Sequence, residues 1–399
     1  MGKKTGKNAV LLIISLSAIA FNTLILRFPN EIISAAKKGL WLWADNVLPS
    51  LLPFAIGINI LSALGVISFI GALLEPVMRP LFRVPGCGGF ALITGMTSGY
   101  PMGARTAALL CEDGKLNRDE AQRLMSFANN SGPLFILGAL GANMLNNIRL
   151  GYFILAVHYL SAIINGILFR RFGEKGGPYR ARGAENLFRR ALREMAKTRG
   201  RRPAGFGRVL GESIESAVAA MLQIGGFIIF FCVLVSMLEV SGALGAGRGL
   251  AGGALAGALE ITNGANMIAS EPFSPAQIIL LCGVVSFGGL SVHAQSVSFL
   301  SKTGVRPWLY ILGKLSQGVI AMITGWIFYP FFDMAFDFSG GYGQTAAAQA
   351  FAARGGTALS RFTFSSLMFF AALAALVLVP LAFRLIRNIT RRRSARSCR

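Results

Sequence analysis

Residues 86–111 read GCGGFALITGMTSGYPMGARTAALLC, an apolar segment that polar and helix-breaking residues interrupt in its middle. The central run TSGYP (97–101) cannot continue an α-helix, because proline lacks an amide donor and restricts the residue before it. Each half of the segment would form about 15 Å of helix, roughly half the thickness of the hydrocarbon core of a bilayer. The segment is therefore predicted to enter a membrane, turn at mid-depth and leave on the same side.

Residues 250–270, LAGGALAGALEITNGANMIAS, repeat this pattern with a break at EITNG (260–264). Irregular backbone at mid-membrane is tolerated only where it is buried in protein or lines a wet cavity. We therefore predict two re-entrant helical hairpins, at 86–111 and 249–270. The alternative is a pair of glycine-rich linkers with kinked helices, which fits the distribution of charge along the chain less well.

The composition is that of a membrane protein. Of the 399 residues 54% are hydrophobic and only 14% are charged, where a soluble domain has about 25% charged residues. Too few charges remain to cover a large soluble core, which excludes a soluble globular enzyme. The five cysteines form no CxxC pair and no Cys/His cluster, so neither a disulfide framework nor a zinc site is predicted. No other metal and no cofactor is expected.

The net charge of +22 would suggest a nucleic-acid partner in a soluble protein. Here the charge is concentrated in blocks beside apolar segments. Residues 170–208 hold thirteen Lys/Arg against three acids, and residues 384–399 hold seven Arg and no acid. Such blocks determine membrane topology and contact anionic lipid headgroups. The predicted macromolecular partner is the bilayer, with no nucleic acid; a homo-oligomer stays open.

The hydropathy pattern predicts an all-α polytopic membrane protein with eight transmembrane helices besides the two hairpins. The predicted crossings are 10–26, 47–74, 124–145, 150–169, 209–240, 276–300, 307–331 and 362–383. Residues 30–46 suit an amphipathic helix at the membrane surface. Eight crossings place both termini on one side, which the positive-inside rule makes cytoplasmic. Lys37 and Lys38 would then be external, against that rule.

The order of segments predicts two related halves. The regions are the N-terminal span and interfacial helix 1–46, a first repeat 47–169, a basic cytoplasmic loop 170–208, a second repeat 209–331, an external loop 332–361, and a last span with a basic tail 362–399. TGMTSGYPMGA in the first half parallels LEITNGANMIA in the second. The first repeat starts outside and the second inside, so the halves are inverted, as in secondary transporters with broken segments at the midplane.

Several motifs carry a family resemblance between about residues 40 and 330. They are GGFALITGMTSGYPMGAR (88–105), RDEAQRLMSFANNSGPLFILGAL (118–140), LEITNG (259–264) and SFGGLSVHAQ (286–295). The chain resembles the YlbJ (SpoVV) family of sporulation integral membrane proteins, which carry nucleoside-recognition, or Gate, domains and are similar to concentrative nucleoside transporters. The resemblance implies transport of dipicolinate, a small aromatic dicarboxylate, out of the mother-cell cytoplasm across the outer forespore membrane. Composition and spacing by themselves indicate only a transporter-like bundle.

A dianion needs cations or backbone amides at both ends, and the helix N-termini after each break supply amides. The candidate substrate-binding residues of the first half are Thr97, Ser98, Gly99, Tyr100, Arg105, Asn129, Asn130 and Ser131. Those of the second half are Thr262, Asn263, Gly264, Ser291, His293 and Gln295. Amides and hydroxyls bind a substrate without the desolvation cost of a full charge. Alternatively these small and polar residues allow close helix packing, and His293 is a satisfied core histidine.

Two charged residues stand out among these candidates. Arg105 follows the first break by about one turn, and its fork of donors could bind a carboxylate; alternatively it snorkels to the headgroups or pairs with Glu112 or Asp113. Lys314, in a span of the second half, is the nearest other cation. Glu260 is the only acid inside the second hairpin, and a carboxylate at that depth is usually functional. Because it would repel an anionic substrate, we expect it to bind the coupling proton or cation; alternatively it pairs with Arg105.

Three functions remain open from the residues alone. The first is transport of a small aromatic carboxylate, the second is transport of a nucleoside or another polar metabolite, and the third is a structural role in the forespore envelope without transport. A membrane enzyme is not expected, because the sequence has no recognisable nucleophile–base pair, metal-ligand set or phosphate loop, and no catalytic residue is assigned.

Overall fold

The structure of the chain is a computed structural model that describes residues 2–173, 187–201, 205–242 and 249–336. All regular elements in these ranges are helices. The predicted last span and basic tail, 362–399, lie outside the described residues. So do residues 337–361 of the predicted external loop, and residues 174–186 and 202–204 of the predicted basic loop.

The first half of the chain contains eight α-helices and two π-helices within its described residues. They are α1 (Gly2–Arg27), α2 (Pro29–Trp41), π1 (Leu42–Val47), α3 (Leu48–Ala63), α4 (Val66–Phe82), α5 (Gly88–Ser98), α6 (Met102–Glu112), α7 (Arg118–Met125), π2 (Leu134–Met144) and α8 (Ile148–Phe169). The remaining helices are α9 (Leu187–Arg201), α10 (Phe206–Val240), α11 (Gly249–Leu259), α12 (Ile261–Ala269), α13 (Pro275–Phe287), α14 (Gly289–Leu300) and α15 (Pro307–Phe336).

Within the residues that the structure describes, four helical segments are long and apolar enough to cross a membrane. They are Ile148–Phe169, Phe206–Val240, Pro275–Leu300 and Pro307–Asp333. A fifth span results if α3 and α4, which meet at 82°, count as one broken segment. The prediction of a helical polytopic protein is thus confirmed at this level. Four or five spans by length and composition fall short of the seven crossings predicted for the same part of the chain.

Three predicted crossings are broken in the structure: 47–74, 124–145 and 276–300, the last of them at Gly288 between α13 and α14. The predicted span 47–74 bends at Gly65, whose φ of 78° is left-handed and ends α3; glycine adopts this conformation without steric cost. The predicted span 124–145 is split into α7 and π2 by irregular residues 126–132. Asn, Ser, Gly and Pro side by side at 129–133 favour local turns over a continuous helix.

Both predicted helix–break–helix pairs are present, and the two helices of each pair pack against each other. Residues 99–101 separate α5 from α6, and Gly99 has a left-handed φ of 86°. In the second pair Glu260 is the only residue between α11 and α12. Its carboxylate accepts hydrogen bonds from the amides of Thr262 (3.1 Å) and Asn263 (2.8 Å), and so caps α12. Re-entry of these pairs into a membrane stays a prediction.

The two halves are interlocked through their cores. Ala217, Met221 and Ile224 of α10 belong to a hydrophobic cluster whose other members come mainly from α3–α7. Trp43 of π1 donates its indole hydrogen to the Met221 carbonyl (2.9 Å). Conversely, α8 of the first half, with Phe153, packs in the second cluster against α13 and α15. Each half therefore completes its core with a long helix of the other.

Two amphipathic helices lie against the outside of this bundle. α2 and π1 occupy the predicted interfacial segment, and α2 buries Ile32 and Ala35 against α10. α9, in the predicted basic loop, packs Ala191 against Ala72 and Leu73 of α4. Its sequence, LFRRALREMAKTRGR, carries six Lys/Arg and one acid, which suits a helix at a surface of anionic headgroups.

Candidate functional site

Four breaks in the helices lie next to one another in the interior. A Cβ added to Gly132, in the break after α7, would lie 3.1 Å from the Cα of Gly99 at the first hairpin break. A Cβ on Gly288, between α13 and α14, would lie 3.0 Å from the ring of Tyr100. One on Gly289 would lie 2.9 Å from the carbonyl oxygen of Gly257, beside the second hairpin break. Only glycine allows these backbones to approach so closely.

Asn129 is the central residue of a buried polar network around these breaks. Its Nδ2 donates to Ser296 Oγ and to the hydroxyl of Tyr310, both at 2.8 Å. Its Oδ1 accepts from the amide of Ala104 on α6 (3.3 Å). Its backbone carbonyl accepts from Lys314 Nζ (2.7 Å). One side chain thus joins the first hairpin, the break after α7, α14 and α15.

Lys314 of α15 is fully buried in this network. Besides the Asn129 carbonyl it donates to Oε1 of Gln317 (2.5 Å), and Gln317 Nε2 donates to Oδ1 of Asn130 (3.0 Å). Its Nζ lies 5.3 Å from the centre of the Tyr100 ring, within the range of a cation–π contact. The Tyr100 hydroxyl donates to the Val285 carbonyl (3.3 Å), which connects the first hairpin to α13.

The two histidines of the chain lie in the same region. The Ser131 amide donates to Nε2 of His158 (3.0 Å), so Nδ1 of His158 carries the proton and donates to Ser286 Oγ (2.8 Å). Both nitrogens of His158 are satisfied, as in a structural histidine. His293 differs, because Nδ1 contacts the Tyr310 hydroxyl (3.3 Å) while Nε2 has no partner among the described residues.

The other predicted polar side chains of the first hairpin form no hydrogen bond to the Asn129 network within the described residues. Thr97 Oγ1 donates to its own helix at the Ile93 carbonyl (2.8 Å). Ser98 Oγ is buried and has no partner within the described part of the chain. Nη2 of Arg105 donates to Asn59 Oδ1 (3.4 Å) and to both the carbonyl oxygen and Oγ of Ser216 (3.2 Å each).

Arg105 therefore joins α6 to α3 and α10. Its hydrogen bonds go neither to Glu112 nor to Asp113, nor to Glu260, which caps α12 instead. Nη1 of Arg105 is buried without a partner in the described ranges. A guanidinium with one nitrogen engaged and the other unsatisfied can still donate to an anion.

The second hairpin break borders an open cavity instead of the Asn129 network. This cavity of about 270 Å³ lies between α2, π1, α10 and α12. It is lined by Lys38, Trp41, Leu42, Asp45, Cys232, Glu260, Thr262 and Asn263. A second cavity of about 280 Å³ shares Lys38, Cys232 and Asn263 with it. Gly264 faces the other way and packs against the backbone of Gly257.

Two groups stand out among the predicted site residues. Tyr100, Asn129, Asn130, Ser131 and His293 are contiguous with the Asn129 network through the contacts given above. Thr262, Asn263 and Glu260 line the cavity under α2. Ser291 and Gln295 are buried on α14 and bond each other (3.4 Å). Sequence reasoning did not include His158, Ser286, Ser296, Tyr310 and Gln317, all of them polar residues inside apolar segments.

Comparison with known proteins gives two matches. Residues 44–142, most of the first half, match the family model of Gate, described as nucleoside recognition. The sporulation integral membrane protein YlbJ of Bacillus subtilis (strain 168) is 36% identical over 320 residues, which cover 75% of this chain and 78% of that protein. No solved structure matches the chain.

Proposed function

The chain belongs to the family of the sporulation integral membrane protein YlbJ, and from this membership we propose that it is a membrane transporter required for spore formation. Its proposed substrate is dipicolinate, moved from the mother-cell cytoplasm across the outer forespore membrane. The observation that supports transport is the meeting of four helix breaks in the interior, three of them beside the buried Asn129 network. Broken helices at such depth are the usual binding sites of secondary transporters.

The charge of the interior favours an anionic substrate. Arg105 and Lys314 are both buried, and neither forms an ion pair in the described ranges. A buried cation is costly unless an anion or several hydrogen bonds compensate it. A dicarboxylate would supply such compensation, and the unpartnered Nη1 of Arg105 is one donor available to it.

The proposed topology places both termini in the cytoplasm and the two hairpins in the membrane from opposite faces, as an inverted repeat. The cavity under α2 then opens to the outer side, toward the space between the forespore membranes. Glu260 lines this cavity beside Lys38 and Asp45. It is the proposed site of a coupling proton or cation, since a carboxylate there binds positive charge better than the substrate anion.

Uptake by proteoliposomes tests the proposal directly. The full-length protein is reconstituted, and entry of radiolabelled dipicolinate is measured against protein-free liposomes. Saturable uptake that excess unlabelled dipicolinate abolishes is the expected result. Absence of such uptake in vesicles that contain folded protein would contradict the proposed substrate.

The match of residues 44–142 to a nucleoside-recognition model favours one alternative, transport of nucleosides. A nucleoside has no carboxylate and needs no buried cation. In the same vesicles, uptake of labelled uridine or adenosine that dipicolinate does not inhibit would favour this alternative. Inhibition of dipicolinate uptake by the monoanion picolinate, but not by nucleosides, would favour the carboxylate.

A further inference from the structure

Lys314 differs from the other lysines with described side chains in the way its charge is compensated. It is fully buried, yet both of its hydrogen bonds go to neutral oxygens, the Asn129 carbonyl and Oε1 of Gln317. The ion pairs within the described ranges lie elsewhere, on α4 with α7, near the end of α6, on α9 and at the start of α10. An ammonium has three donors, so one N–H of Lys314 remains beyond these two bonds.

An ammonium held only by neutral groups is expensive in a protein interior inside a membrane. A purely structural link between Asn129 and Gln317 could be made by a neutral donor at lower cost. A lysine in place of such a neutral donor therefore indicates that the network is built to receive negative charge. The centre of the Tyr100 ring lies 5.3 Å from Nζ of Lys314. This cation–π contact offsets only a small part of the cost of burying the ammonium.

Proton assignment in the network leads to a second free donor. Nδ2 of Asn129 donates to the Tyr310 oxygen, so the Tyr310 hydrogen is free to point at Nδ1 of His293. Ser296 Oγ, whose own hydrogen goes to the Val292 carbonyl (2.7 Å), also lies within reach of the Tyr310 hydroxyl. Where the Tyr310 hydrogen points at His293, Nδ1 is the acceptor and the proton of the ring lies on Nε2. That N–H is buried and has no acceptor among the described residues.

We propose that Lys314 is the residue whose charge binds a carboxylate of the transported molecule, with the Nε2–H of His293 as a neutral donor of the same site. The substrate class is a small aromatic carboxylate, whose ring can lie against Tyr100 once the breaks separate. This inference rests on the proposed function, because it assumes that the chain transports an anion. The positive charge that selects the substrate then lies on α15, outside both hairpins.

The test compares Lys314→Gln with Lys302→Gln in the full-length protein. Glutamine keeps a donor for the Asn129 carbonyl but removes the charge, and Lys302 is an exposed lysine after α14 that serves as the control. Binding is measured in detergent by isothermal titration with dipicolinate, picolinate, benzoate and the neutral pyridine-2,6-dicarboxamide. Uptake of dipicolinate is measured in proteoliposomes.

We expect Lys314→Gln to weaken dipicolinate binding about 10- to 100-fold, the range of a lost charge-assisted hydrogen bond, and to leave binding of the neutral diamide unchanged. Lys302→Gln should behave as the wild type. Loss of an uncompensated buried charge should also raise the melting temperature of the ligand-free protein. A purely structural lysine would lower it, so this readout separates the two roles. If Lys314→Gln fails to fold, Lys314→Met replaces it, since methionine matches the length of the stem.

The outcomes separate this inference from the proposed function. Wild-type uptake of dipicolinate with unchanged affinity in Lys314→Gln overturns the role of Lys314 and leaves the proposed function standing. If the wild type does not transport dipicolinate but binds another carboxylate in a Lys314-dependent way, the proposed substrate is wrong and the role of Lys314 is supported. If no carboxylate of the panel binds the wild type, both are overturned.

Discussion

Arg105 has an observed structural role, to which the proposed function adds a binding role. Its Nη2 holds α6 against α3 and α10 through Asn59 and Ser216, while its Nη1 has no acceptor in the part of the chain that the structure describes. A lysine at this position would keep the positive charge. It would lack the planar guanidinium, whose Nη2 contacts the neighbouring helices while Nη1 remains available to an anion. The two roles predict different consequences of substitution.

We expect Arg105→Ala to lower dipicolinate affinity by about 1.5–3 kcal/mol, which is the cost of a lost charge-assisted hydrogen bond. Arg105→Lys should recover only part of this loss. Dipicolinate content of spores from a strain that carries each variant is the measurement, with membrane levels of the protein as the control. Normal dipicolinate content in Arg105→Ala would show that Arg105 only joins helices, and low protein levels would show that this joining is essential.

At the residue scale the sequence predicted the polar residues that stand beside helix breaks. Asn129, Ser131 and His293 were recognisable because glycine or proline follows or precedes them within a few positions. His158, Tyr310 and Gln317 were not, because they lie in uninterrupted apolar helices and their partners are distant in sequence. His158 bonds Ser286, 128 residues away, and Gln317 bonds Asn130, 187 residues away. A polar residue within an apolar span was the available signal, but it does not identify the partner.

At the scale of elements, the helix breaks depend on glycines that no other residue can replace. Gly288 combines a left-handed φ of 91° with a Cβ position 3.0 Å from the Tyr100 ring. Both features disfavour a side chain there. The break between α13 and α14 is therefore expected to be sensitive to the smallest substitution.

We predict that Gly288→Ala lowers the free energy of unfolding by about 1–3 kcal/mol, from strained backbone and displacement of Tyr100. Gly226→Ala is the matched control, because Gly226 is exposed on α10 and its added Cβ meets nothing within 4 Å. That change should raise the unfolding free energy by up to about 1 kcal/mol, since alanine favours a helix over glycine. Thermal unfolding of both purified variants is the measurement. Equal melting temperatures for the two would contradict the strain at Gly288.

Whether a helix break could be predicted depended on the residues that form it. The breaks at 99–101 and 260 were predicted because proline or polar residues interrupt an apolar run. The bend at Gly65 was not, because a single glycine between Leu64 and Val66 leaves the hydropathy of the run unchanged. Its effect comes from the left-handed conformation alone, which hydropathy does not report.

At the scale of the whole molecule, the proposed topology assigns opposite sides of the membrane to the two ends of α10. α9 and the start of α10 are expected in the cytoplasm because of their basic residues. The segment after α10, from Ser241, is expected outside. Lys197 on α9 and Ser241 after α10 are both exposed, so a water-soluble reagent can reach them.

Single cysteines at Lys197 and at Ser241, introduced into a cysteine-free protein, test this orientation. A membrane-impermeant maleimide applied to intact vegetative cells that produce the protein in their cytoplasmic membrane should label Ser241→Cys and not Lys197→Cys. Permeabilised cells should show labelling at both positions. The reverse pattern in intact cells would invert the proposed topology, and with it the side to which the cavity under α2 opens.

The exchange of long helices between the two halves has a consequence for how the protein is made. Trp43 bonds Met221, 178 residues further along the chain, which corresponds to about 10–35 s of synthesis at 5–20 residues per second. During this interval the insertion machinery or a chaperone must shield the apolar faces of α3–α7, whose core partner α10 has not yet left the ribosome. A ribosomal pause or a truncation before α10 would thus release a membrane intermediate that quality-control proteases recognise.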